Sequence, residues 1–311
     1  MASNRIPVIE VIETQYGTLK VVRPRKRYHW GAVARHVTLV GACMSVIFPL
    51  LWVLLLSVKS LPSSNQAFLI PRKGWAEPLV VGYDWVINKR PEVFTALLNS
   101  VRLTVASVFL SVILATLAGY ALVHLRTPLK NLIVAMFVAS MFFPVRVSAL
   151  AGLWEVQHTR PMQWFSDNYG QVWPLVFPYV SLTVALSVFI MRGVFETVPK
   201  DLADSARVDG ASSFRTLVGI MLPLVRNGMV VVIIVNFVSA WGEFLLARFF
   251  TSGKDYWTLP VFISTTQGGN GAWHWPKIAA LYILAILPGL ILFGFTQKYY
   301  MKGLQEGALK A

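Results

Sequence analysis

The chain alternates between long apolar runs and short polar interludes. Six runs stand out: about His36–Val58, Asn99–Val123, Asn131–Trp154, Val172–Met191, Gly228–Phe250 and Ile278–Thr296. A helix crosses a bilayer in roughly 20 apolar residues, and these runs match that length. Lipid offers no partner to an unpaired backbone N–H or C=O, so open sheets are excluded from it. The pattern therefore predicts an all-α polytopic membrane protein with six transmembrane helices. Residues 36–298 form the membrane domain, between a polar N-terminal tail at 1–35 and a C-terminal tail at 299–311. Within the first tail, Val8–Glu13 and Leu19–Val22 flank Gly17 and predict a small hairpin.

Composition supports this division. Of 311 residues, 56% are hydrophobic and 14% charged, which excludes an ordinary soluble domain. The net charge of +14 raises nucleic acid as a partner, but where the charges lie decides the matter. With the N-terminus inside, the inner segments collect the cluster Arg23, Arg25, Lys26, Arg27 and Arg35, then Arg126 and Lys130. Arg192, Lys200, Arg207, Arg215, Arg226, Lys298, Lys302 and Lys310 fall on the same side. The outer segments receive the fewer and more dispersed Arg72, Lys73, Lys89, Arg90, Arg160, Lys254 and Lys277. The bias predicts a multi-pass membrane protein with both termini cytoplasmic, its charge recording topology and lipid headgroups, not nucleic acid. The tail is too long and too charged for the start of a cleaved signal peptide. Cys43, the one cysteine, lies in an apolar run and can make no disulfide within the chain.

Between the fourth and fifth runs lies a charged island, Glu196–Leu222, closed by Pro223. It begins like a helix: Thr197 offers a capping oxygen, Pro199 suits a first turn and Asp201 suits the positive end. Leu202, Ala203 and Ala206 share one face, with Asp204, Arg207 and Asp209 around the rest. Gly210 tolerates the left-handed backbone that ends such a helix, and Ser212 or Ser213 can cap a second one. The expectation is a short helix, a sharp bend and a second helix.

These residues resemble the coupling loop of permease subunits in bacterial ABC importers of the carbohydrate-uptake branch. The family pattern runs Glu-Ala-Ala, three positions, Gly, then an apolar stretch ending in Leu-Pro. Here it reads Asp204-Ser205-Ala206, Asp209-Gly210-Ala211 and Leu222-Pro223. Trp241-Gly242-Glu243-Phe244 resembles the family's Trp-Asn-Glu-Phe, departing at Gly242. The tail from Lys302-Gly303-Leu304 to Ala308-Leu309-Lys310-Ala311 resembles the end of the shorter of the two permeases, which reaches into the ATPase dimer. The resemblance implies a type I ABC importer permease fold and a non-catalytic subunit. Its implied partners are a second permease, a cytoplasmic ATPase dimer holding ATP and Mg, and an extracytoplasmic binding protein. Leu202, Ala203, Asp204, Ser205, Ala206, Asp209, Gly210, Ala211 and Pro223 would then meet the ATPase, with the alanine-lined face docking in its groove. No cofactor is expected on this chain, which lacks a Gly-x-x-x-x-Gly-Lys-Ser/Thr phosphate loop and has no metal-like histidine spacing.

Of the charged residues inside the runs, two demand an account. Arg146 and Glu243 each lie roughly 22 Å along a helix from the cytoplasmic end of their span. Charge in hydrocarbon needs a partner or a polar pathway, so the two are candidates to pair or to line the route of the solute. Asn236 is a candidate donor to a hydroxylated solute. Prolines 49, 144, 174, 178 and 288 fall within spans and predict kinks. The outer segment Ser60–Phe94 should lie along the membrane surface, and Glu155–Gln171 should include a short surface helix. In the resembling family the last outer loop faces the binding protein. Here it holds Gly268, Gly269, Asn270, Gly271 and Trp273. An alternative keeps the importer with another solute, such as an amino acid, polyamine or phosphate ester. A rival class is an ion-coupled secondary carrier, which would call for buried carboxylates and an internal repeat.

Overall fold

In the computed structural model the described residues are 8–14, 17–23, 30–59, 81–142, 159–266 and 274–308. The chain divides into two units, Met1–Trp52 and Val53–Ala311. In the first, β1 (Val8–Thr14) pairs antiparallel with β2 (Gly17–Arg23), Val8 opposite Arg23 and Thr14 opposite Gly17. This is the small hairpin expected around Gly17. Helix α1 (Trp30–Ser57) follows, beginning six residues before the first apolar run and carrying Pro49 inside it.

The second unit is the helical bundle. Its elements are α2 (Val81–Asn88), α3 (Glu92–His124), α4 (Lys130–Met141), α5 (Arg160–Tyr169), α6 (Val176–Glu196), α7 (Lys200–Val208) and α8 (Ser213–Thr216). A π-helical segment, Leu217–Met221, leads into α9 (Leu222–Trp241), followed by α10 (Leu245–Phe250), α11 (Leu259–Thr265) and α12 (Trp275–Ala308). Helix α5 lies within Glu155–Gln171, where a short helix was expected, and α2 lies within Ser60–Phe94, for which no helix was predicted. Among the described residues five helical stretches are long and apolar enough to cross a membrane, against six expected. The third span is described only as far as Phe142, just past the 12-residue α4; the rest of its expected length, with Pro144 and Arg146, lies outside the described residues.

Small residues let α3, α6 and α9 pack closely, as helices must when lipid is as apolar as their side chains. A Cβ on Gly119 of α3 would come within 2.9 Å of the Met191 Cβ, and one on Gly228 of α9 within 2.5 Å of a Val194 methyl. Around this crossing Tyr120, Leu122, Met191, Phe195, Met221 and Val225 form one buried cluster. Toward the other end Leu103, Tyr179, Ala240, Leu246 and Val261 form a second. Large apolar side chains cover the outside instead, among them Phe109, Val238 and Phe295. That reversal of a soluble protein's surface is what a bilayer solvates.

Two expectations about the spans change. Pro174 sits in a 3-10 turn (Trp173–Leu175) and Pro178 in the first turn of α6, where a missing N–H breaks no helical bond. They start the span and do not kink its middle. The fifth run, read as continuous to Phe250, breaks after Trp241 and resumes at Leu245.

Candidate functional site

The charged island folds as two helices joined by an elbow. Helix α7 begins at Lys200, with Pro199 in extended conformation just before it and Asp201 in its first turn. Thr197 does not cap it: its hydroxyl donates back to the Val194 carbonyl at 2.7 Å, closing the end of α6. Gly210 has φ of +78°, the left-handed conformation expected there. Two bonds complete the stop, Gly210 N–H to the Arg207 carbonyl at 3.0 Å and Ala211 N–H to the Ala206 carbonyl at 2.9 Å. This pair of bonds is the Schellman motif, and it satisfies carbonyls that would otherwise be orphaned. Ser212 then caps α8, its hydroxyl accepting from Arg215 N–H at 3.3 Å.

The elbow's faces differ from the expectation. Ala203 and Ala206 are 2% and 5% exposed, and Ala203 and Val198 pack in the cluster of Tyr120, Phe195, Leu217 and Met221. The alanine face therefore seats α7 on its own bundle and is not open to dock elsewhere. Leu202, grouped with the alanines by spacing, is exposed instead. Asp204, Ser205, Asp209 and Gly210 are exposed too, and Val208 is 88% exposed. Asp204 Oδ1 accepts from Arg207 at 2.8 Å. The other guanidinium nitrogen of Arg207 donates to the backbone carbonyl of His124, at the end of α3. Sequence reasoning missed that bond, which joins residues 83 apart in the chain. Pro223 opens α9 directly after the π-helical segment; its ring leaves the Gly219 carbonyl without the usual N–H.

The intramembrane candidates separate. Asn236 is 2% exposed and wholly engaged between helices. Its amide donates to Ser187 Oγ at 2.7 Å and to the Val232 carbonyl at 2.8 Å, and its oxygen accepts from Thr183 Oγ1. Both amide protons are used, so Asn236 ties α9 to α6 and has none left for a solute. Polar side chains bridge membrane helices in this way. Glu243 is buried at the break after α9 and accepts from Leu246 N–H at 2.9 Å, at the start of α10. The Tyr179 hydroxyl reaches the Glu243 carbonyl at 3.5 Å. Its proposed pairing partner, Arg146, lies outside the described residues.

Beside the break a cavity of about 490 Å³ is lined by Trp241, Gly242, Phe244, Trp275 and Tyr282, with Ser264 among its polar groups. The Trp241 indole N–H donates to the Ala285 carbonyl at 2.9 Å. Sequence reasoning missed the anchors of the adjoining loop. Asn99 donates to the carbonyls of Asp255 and Trp257 at 2.8 and 3.1 Å, and the Ser100 hydroxyl accepts from Leu259 N–H at 2.8 Å. Gln171 grips Ser252 through its N–H at 2.8 Å. Helix α11 thus stands on a fixed base, while Gly268, Gly269, Asn270, Gly271 and Trp273 beyond it lie outside the described residues. Among the described residues no three His, Cys, Asp or Glu side chains converge as metal ligands would.

Residues 107–305 match the model of the binding-protein-dependent transport system inner membrane component. The chain belongs to that family. It is 31% identical over 267 residues to the sulfoquinovosyl glycerol transport system permease protein SmoH of Agrobacterium fabrum, covering 85% of this chain and 89% of the relative. It is 30% identical over 280 residues to the trehalose/maltose transport system permease protein MalG of Thermococcus litoralis, covering 89% and 97%. The fold is that of a solved bacterial ABC transporter involved in the import of the acidic polysaccharide alginate, with a TM-score of 0.70 and 17% identity over 90% of this chain and 99% of that one. As a member of this family the chain is a multi-pass permease component of a binding-protein-dependent importer.

Proposed function

We propose that the chain is one of two permease subunits of an ATP-driven importer for a sugar, oligosaccharide or glycoside. A separate ATPase dimer binds ATP and Mg, hydrolyses the nucleotide, and drives the permease through the elbow at 196–223. The observation that carries this reading is the two-sidedness of α7. Its alanine face is spent on its own bundle, and its other face presents Leu202, Ser205, Val208 and Asp209 to whatever lies beyond. An ATPase groove that takes this exposed face would push a helix already seated on α3 and α6. The basic residues flanking the elbow favour the cytoplasmic side for it and for both termini, where nucleotide is found. The solute class follows the carbohydrate systems in which the relatives work, and the aromatic walls of the cavity beside Trp241 suit the apolar faces of a sugar ring.

The test is purification of the tagged chain from its own membranes, followed by reconstitution. The expected result is co-purification of an ATPase and a second permease, with sugar uptake into vesicles only when ATP is supplied. Uphill uptake by this chain alone, without nucleotide, would overturn the proposal in favour of a self-contained carrier.

A further inference from the structure

The bond from Arg207 to the His124 carbonyl joins the elbow to a helix with which it shares no covalent continuity. Helix α7 is linked to α6 through Thr197–Pro199 and to α9 through α8 and the π-helical segment. Helix α3 has no such link. It ends at His124, and the residue four positions on, whose N–H would have taken the His124 carbonyl, is Pro128. That carbonyl is an orphan at the negative end of a 33-residue helix, and a guanidinium is the side chain best suited to it. Around the joint the His124 ring stacks on Tyr120 at 5.5 Å and meets the edge of Phe195 from α6 at 5.9 Å. The aromatic group forms a seat under α7, and such apolar packing is non-directional, whereas a hydrogen bond ties one point of α3 to one point of the elbow. Arg207 makes that tie with one nitrogen while Asp204 fixes the other at 2.8 Å.

We infer that Arg207 is a positioning residue that makes α3 move with the elbow, so that the ATPase's stroke reaches this span as well as α6 and α9. The inference rests on the proposed function. Arginine's rigid fork serves Asp204 and the carbonyl together, whereas lysine, a single point charge, serves one at a time.

The experiment uses the complete transporter, with ATPase, second permease and binding protein, in liposomes, measuring solute uptake and phosphate release in the same vesicles. In Arg207→Ala, hydrolysis should stay near the wild-type rate while solute moved per ATP falls about tenfold, the worth of one charge-assisted hydrogen bond. Arg207→Lys should fall between. A second reading uses spin labels at Lys200→Cys and Arg126→Cys, both exposed, with Cys43 replaced by serine. The distance between them should be the same in nucleotide-free and ATP-trapped wild-type complex and should change in Arg207→Ala. Wild-type coupling in Arg207→Ala overturns the inference, as does a label distance that shifts equally with and without the arginine. Equal losses of hydrolysis and uptake in both variants overturn it too, because they mark a merely structural role. Uptake that persists once the ATPase chain is removed is a different result and sinks the proposed function itself.

Discussion

Gly210 and Gly228 are both glycines that their surroundings demand, for opposite reasons. At Gly210 the backbone is left-handed at φ +78° and nothing lies within 4 Å of where a Cβ would stand. At Gly228 no unusual φ is required, but a Cβ would stand 2.5 Å from a Val194 methyl. The first glycine shapes a joint at the surface, and the second lets two membrane helices touch. A side chain at Gly210 would strain one joint and leave the bundle packed, whereas one at Gly228 would part α6 from α9. A permease driven from outside needs both, a handle held at a fixed angle and a stiff body.

The sharpest way to break this comparison is at the crossing. Gly228→Ala forces apart α6 and α9, and overpacking of this kind costs about 1–3 kcal/mol or more. The variant should accumulate poorly and melt at lower temperature in detergent, and Val194→Ala, which removes the obstructing methyls, should restore much of the loss. If Gly228→Ala is as stable as the wild type, the close crossing is not what holds α9.

At the elbow the effect should be on work and not on folding. Gly210→Val places a β-branched residue at positive φ, where even an ordinary L residue loses about 1–2 kcal/mol. The spans should remain folded and ATP hydrolysis measurable, with uptake per ATP reduced several-fold, as for a joint whose angle is wrong. Uptake at the wild-type rate would show that the bend is dispensable.

Asn236→Leu refines the account of the stiff body. Loss of its ties to Thr183 and Ser187 should cost about 0.6–2 kcal/mol of stability, the range for hydrogen bonds between membrane helices. The KM for uptake should not change. A raised KM at unchanged stability would return Asn236 to the solute pathway.

Much of the handle was legible in the sequence because each of its parts has a local cause. Polar residues interrupt an apolar run, Gly210 can take a left-handed turn, and Ser212 can cap. Which face of α7 is free was not legible. Alanine at 203 and 206 permits close approach to any helix, the chain's own or another's, and spacing cannot tell which. Asn236 misled for a related reason, since an amide in a span serves a neighbouring helix as readily as a solute. The break at 242–244 hid because the device that makes it, Glu243 bonded to Leu246 N–H, is local and adds a single carboxylate to a run that is mostly apolar. The anchors Asn99, Ser100 and Gln171 pair with residues some 81 to 159 positions away, beyond the reach of any local pattern.

The most direct measurement is chemical protection of the free face of α7. Val208→Cys, in a chain whose Cys43 is replaced by serine, is reacted with a membrane-impermeant maleimide in inside-out vesicles, with and without the ATPase bound. The account predicts rapid labelling of the stripped permease and strong protection once the ATPase returns. Labelling at the same rate in both states would contradict it, because the elbow would then be a surface that the ATPase never covers.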